Sequence, residues 1–368
     1  MWFNKKKKTK LELVSEVIGA LVEKVNGKIN ELGQYDYELY NTLINIQNKF
    51  DQIRNIPNEK KLEYDKIKNI SLSWKQQVDK IENDYEAAKK TDISRGAVGG
   101  LLGAGVTTLG PTAAMGIATS FGVASTGTAI SSLSGIAATN AALAWLGGGA
   151  LSVGGGGMAA GNIFLGLAGP VGWTIAGIAI VGSAFLFWKA KSEKEKLENI
   201  FLLISERDQY SYKQAIVELN ERIERIKDET SKLREAIKEV ITFGTDYDSM
   251  TEKQQYTLGV YVNLMNASLQ LLINPILGLQ PKYTIEDLEH FLAYHIHYGT
   301  HEHFKKNKNL IVYMANLLYK IPTDESDRKL LAKSFRRNKE FRKTMQLKKS
   351  DLNLDLFNIV DEVLSVCR

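Results

Sequence analysis

Leu11, Val14, Ile18, Leu21 and Val25 fall three and four residues apart, and Leu32, Leu39, Leu43, Ile46, Phe50 and Ile53 resume the spacing. Side chains at that spacing share one face of an α-helix, so the pattern is a seam of coiled-coil type. Gly27 and Gly33 fall inside it, and an interruption is expected near them because glycine weakens a helix interior. Pro57 ends the seam for want of an N–H. Ile67, Ile70, Trp74, Val78, Ile81, Tyr85 and Ala88 make a second seam, and the short connection predicts an antiparallel helical hairpin.

The most regular seam lies far downstream. Ile216, Leu219, Ile223, Ile226, Thr230, Leu233, Ile237 and Val240 alternate steps of three and four, while Glu218, Glu221, Arg222, Glu224, Arg225 and Lys227 cover the other faces. A helix from about Lys189 to Thr242, closed by Gly244 and the Thr245–Asp246 turn, would be roughly 80 Å long. Tyr256 to Ile273 is apolar nearly all round, which predicts a buried helix stopped by Pro275 and Gly278. Thr284 to Asp287 opens another in the manner of a capping box. Shorter helices are expected around Leu310 to Tyr319, Asp327 to Met345 and Leu352 to Val366. The predicted class is all-α: a long coiled-coil-like bundle or stalk with a small C-terminal helical unit.

Between the second and third seams the texture reverses. Gly96 to Trp188 contains no Asp, Glu, Lys, Arg or His and holds 23 of the 30 glycines. A soluble domain rarely goes so long without charge, since its surface must be wetted. Ile163 to Trp188 would rise about 39 Å as a helix, more than the ~30 Å hydrocarbon core of a bilayer. Trp173 and Trp188 are its aromatic anchors, and Lys189 and Lys191 form the basic flank. Gly99 and Gly103, Gly157 and Gly161, and Ala168, Gly172 and Ala176 each lie four apart, the spacing that lets membrane helices approach closely. Gly147–Gly149 and Gly154–Gly157 are read as a hinge or tip. With Lys89, Lys90 and Arg95 before the stretch and lysines after it, both ends should stay on the cytoplasmic side. The number of crossings is then even, two or four.

This divides the chain into an N-terminal helical hairpin (1–95), a membrane-inserting segment (96–188), a long helix (189–245) and a C-terminal unit (246–368). Phosphate-binding readings of the glycines fail. No Gly-Lys-Ser/Thr follows them, and Gly154 to Ala159 matches a dinucleotide fingerprint without a preceding strand. A plain linker would avoid the Leu, Ile, Phe and Trp that recur here.

Two resemblances bear on this stretch. Ile130 to Gly135, Asn140 to Gly149 (with Trp145) and Gly157 to Gly161 resemble a glycine-rich segment of assorted bacterial proteins. The plan over residues 10–245, a hydrophobic hairpin emitted from long helices, is similar to the cytolysin A and haemolysin BL class of α-helical pore-forming toxins. The resemblance implies a bacterial protein that is made soluble, then inserts and assembles on a membrane. Here the uncharged zone is longer than in that class.

Net charge is +5, with Lys5, Lys6, Lys7 and Lys8 at the start and ten Lys or Arg against Glu340 alone from Arg328 to Lys349. Lys5–Lys8, Lys189 and Lys191 suit anionic lipid headgroups, and the 328–349 cluster leaves nucleic acid open. A solvated helix face or a frayed terminus is the plain alternative for both clusters. A single cysteine, Cys367, excludes an internal disulfide and fits a reducing compartment. Amphipathic Leu11 to Glu16 behind the N-terminal charges argues against classical export, so the expected place is the cytoplasm, then the inner membrane.

All five histidines, His290, His295, His297, His301 and His303, fall within fourteen residues. His297 and His301 would share a helical face at a spacing many zinc sites use. Gly299 interrupts that helix, and the interleaved Phe291, Tyr294, Tyr298 and Phe304 favour a packing face over a metal; pH sensing is a third option, because clustered histidines charge together. No nucleophile stands beside a base. The expectation is therefore a non-enzymatic, cofactor-free protein that inserts into an anionic bilayer as a homo-oligomer, with a possible protein partner at the C-terminal unit. The alternatives are a non-leaky membrane-anchored scaffold or sensor, and a metal-dependent enzyme at the histidines.

Overall fold

Each of the long seams becomes one helix. The structure, a computed structural model, describes residues 10–94, 111–121, 191–283, 285–294, 301–339, 342 and 347–366. It is all-α, with no strand among the described residues. Helix α1 is Lys10–Phe50, α2 Asn58–Ser94, α3 Pro111–Phe121 and α4 Lys191–Val240. They are followed by α5 Glu252–Ile273, α6 Ile285–Tyr294, α7 His301–Leu318, α8 Glu325–Arg337 and α9 Leu354–Val366.

Helices α1 and α2 form the expected antiparallel hairpin. The Tyr64 hydroxyl donates to the Gln47 carbonyl at 2.7 Å, Lys68 pairs with Asp51 at 2.7 Å, and the Tyr40 and Trp74 rings lie 5.4 Å apart. Helix α4 runs parallel to α1. Lys227 sits 4.6 Å from the Tyr35 ring centroid, Arg234 pairs with Glu38 at 3.2 Å, and Arg54 bridges to Asp246 where both helices have ended. Helix α5 returns antiparallel to α4, through Tyr261 to Glu239 and Ser268 to Glu229. The result is a long four-helix bundle, and every position of the 216–240 seam is buried in it. At 50 residues α4 is about 75 Å long.

Three expectations need correction. Helix α1 passes without interruption through Gly27 and Gly33. Helix α5 is apolar but not buried all round: Tyr256 is 75 % and Val260 44 % exposed, and burial follows Leu258, Val262, Met265 and Leu269 at helical spacing. The Asp327 to Met345 helix starts earlier, on an Asp324–Asp327 capping box, and ends at Arg337, because Asn338 turns extended.

Two apolar cores share α4 as a spine. The first joins α1, α2, α3, α5 and α4 from Tyr212 onward. The second gathers α6 to α9 around Leu197, Ile200, Phe201 and Ile204 of α4, with Leu11 from α1. The C-terminal helices therefore complete their core on the spine. Two arginines of α4 fasten the returning helices to it. Arg222 donates to the Leu271 and Asn274 carbonyls at 2.5 and 2.7 Å, at the end of α5. Arg207 donates to the Asn316, Leu317 and Tyr319 carbonyls, at the end of α7. A guanidinium there satisfies carbonyls that have no partner within the helix and complements the negative end of its dipole.

Candidate functional site, a charge-free helix in the bundle core

Helix α3 belongs to the uncharged stretch, and it lies in the first core. Pro111 opens it with a preset φ and no N–H to leave unbonded. Ala113 through Ser120 are all buried, with Ala114, Met115, Ile117 and Ala118 inside the core. Helices α1, α2 and α5 pack against it. Its last carbonyls are covered as well: Ile276 N–H donates to Ser120 O at 2.9 Å and the Gln280 amide to Phe121 O at 3.3 Å.

The contact with α1 is made through glycine. A Cβ on Gly33 would stand 1.8 Å from the Thr112 carbonyl oxygen, and one on Gly116 would stand 2.1 Å from that of Ile29. No other residue admits such an approach. Thr112, Gly116 and Ser120 lie four apart, so α3 presents a small-residue face of the kind that packs helices closely in lipid.

One turn beyond Gly33 is Asp36, 0 % exposed, with neither carboxylate oxygen hydrogen-bonded. Burial pushes its carboxyl well above the usual aspartate range. The Thr119 hydroxyl of α3 and the Arg222 guanidinium of α4 offset part of that push. The hydroxyls of Thr119 and Ser120 are buried and do not reach bonding geometry either. Native cores seldom leave such groups unmatched.

Sequence reasoning missed this site. Its signals were present: Asp36 occupies a seam position between Leu32 and Leu39, and Gly33 has a contact to serve rather than a helix to end. Most of the predicted membrane residues, Gly99, Gly103, Trp145, Gly157, Gly161, Gly172, Trp173 and Trp188, lie outside the described residues, as do Lys5, Lys6, Lys7, Lys8, Lys189 and His297. Lys191 begins α4, with its side chain 91 % exposed and 3.8 Å from Glu195. His301 begins α7, and His290 is exposed on α6. Among the described residues no three potential ligands are grouped to hold a metal.

The C-terminal basic cluster is partly used within the fold. Arg328 pairs with Asp361 at 3.0 Å, Lys329 with Glu325 at 2.6 Å and Lys333 with Glu193 at 3.1 Å, while Arg336 donates to Leu352 O. The described segment with the length and apolarity of a membrane span is Glu252–Leu279, and 56 % of its most apolar stretch is buried. That is what a core helix shows as well. Comparisons with protein-family models, with curated proteins and with solved structures find no match to this chain.

Proposed function

We propose that the protein holds part of its uncharged stretch inside a helical bundle and acts by delivering that stretch to a lipid bilayer, as a pore-forming or membrane-disrupting effector. The observation that carries this reading is α3 itself. It is a helix without a charged residue, taken from 93 consecutive uncharged residues, and it is buried among α1, α2 and α5. Its cover is made of the same interactions that lipid and neighbouring helices supply, apolar burial and small-residue contact. Exchange of one cover for the other therefore needs no new chemistry.

In this reading the exposed Lys191 and the N-terminal lysines meet anionic headgroups, and copies of the chain assemble in the membrane. The site of action is the inner face of a bacterial plasma membrane, reached from the cytoplasm. The second reading is a non-leaky anchor. It draws on the second core, which docks α6 to α9 on the spine and would display a recognition unit there.

Liposome flotation and dye release by the purified chain separate these readings. Binding with release supports the effector, and binding without release supports the anchor. Neither binding nor release would remove both.

A further inference from the structure

Asp36 is a buried acid that α1 places against the charge-free helix. It lies between Leu32 and Leu39, both 0 % exposed. From α3 it meets the Thr119 hydroxyl, and no charge, because α3 has none. From α4 it feels Arg222, whose guanidinium is already donating to the Leu271 and Asn274 carbonyls and is itself influenced by Glu218 and Arg225. Among the described residues, no charged group of α2 or α5 acts on it appreciably. A protonated carboxyl can donate to a hydroxyl and leaves no charge to bury. An ionised carboxyl is an acceptor only, and its burial is costly.

We propose that Asp36 is a latch on α3: uncharged, it allows the helix to stay docked against Gly33, and ionised, it favours departure of the helix. The latch rests on the reading that α3 is released in function and supplies the control of that release. Its sign follows from linkage. In the docked state burial holds the carboxyl well above the usual aspartate range. With α3 gone the group is wetted and returns toward that range. Docking is therefore strongest below about pH 4 and weakens as pH rises toward the docked-state value. Acid keeps α3 docked, and proton loss frees it.

The test needs no membrane. In a Cys367→Ser background, Ser120→Cys places a near-isosteric thiol on the buried face of α3, and its alkylation by a maleimide reports undocking. The rate is followed from about pH 5.5 to about pH 8.5, with and without Asp36→Asn, a comparison that cancels the contribution of thiol ionisation. The chain that keeps Asp36 should label several-fold faster than the Asp36→Asn variant at the upper end, and that excess should shrink steadily toward the lower end. Equal rates throughout, or faster labelling of the Asp36→Asn variant, overturn the latch.

Hydrogen exchange of the unsubstituted chain gives a second reading. Protection of 111–121 relative to 223–237 should fall as pH rises, and a constant ratio overturns the latch. Liposome binding with no pH effect in these experiments would sink the latch alone. A pH effect without any liposome binding would sink the membrane reading.

Discussion

Gly33 of α1 and Gly116 of α3 meet backbone to backbone, the Thr112 carbonyl filling the space where a side chain on Gly33 would begin. Gly33→Val should therefore expel α3 and leave the rest of the first core assembled. Overpacking of this kind costs roughly 1–3 kcal/mol when neighbours can shift, and here the neighbour is backbone. Hydrogen exchange should show lost protection in 111–121 with α4 unaffected; retained protection would mean the contact gives way elsewhere. Gly27 lies in the same helix with nothing within 4 Å of its would-be Cβ. Gly27→Ala should raise the melting temperature, since alanine is favoured over glycine in a helix by about 1 kcal/mol.

Asp36→Asn should stabilise the protein at neutral pH and not at strongly acid pH. The folded-state carboxyl is held above its ordinary range by burial, so its contribution to stability is lost as pH rises above about 4. Thermal melts of the two forms should coincide near pH 3.5 and separate upward, with the Asp36→Asn form the more stable at about pH 7.5. A gap that is constant with pH would assign Asp36 a packing role only.

Arg207 ties the second core to the spine. It donates to three carbonyls at the end of α7 and pairs with buried Asp208 at 2.7 Å. Arg207→Ala should cost about 1–3 kcal/mol for each buried group left without a partner. The loss should appear as faster exchange in 310–318, while 223–237 stays protected. Uniform loss along both segments would show instead that the two cores melt together.

Leu219 and Ile226 are both 0 % exposed on the inner face of α4. Replacing both by lysine removes roughly 1.5–3 kcal/mol of burial per side chain and adds two buried charges. The sum approaches the 5–15 kcal/mol on which a typical domain depends. The expected outcome is a cooperative loss of helix by circular dichroism well below the parent's melting temperature. An unchanged melt would show that α4 does not need the first core.

Of the fold, the long seams were legible along the chain. Every seam position from Ile216 to Val240 is buried, and the ends at Gly244 and Pro275 are where backbone chemistry stops a helix, whereas α1 ends at Phe50, before the expected stop at Pro57, which instead leads into α2. Periodicity is a local property: side chains three or four apart face the same way whatever they meet. Candidate chemistry was less legible. The glycine, tryptophan and lysine positions marked for membrane contact lie mostly outside the described residues, and the residues around α3 were not singled out.

What the sequence alone determined is therefore the helical class, the reach of α4 and the existence of an uncharged stretch in need of cover. The tertiary structure alone decided which helices cover α3, the described part of that stretch. It turned Gly33 from an expected break into a site of close approach, set a carboxyl against a charge-free helix and aimed Arg207 and Arg222 at the ends of two others. These relations join residues more than forty positions apart. A side chain's burial, its hydrogen-bond partners and the room for a Cβ depend on the element across the contact, and no pattern along a single helix encodes what lies across it.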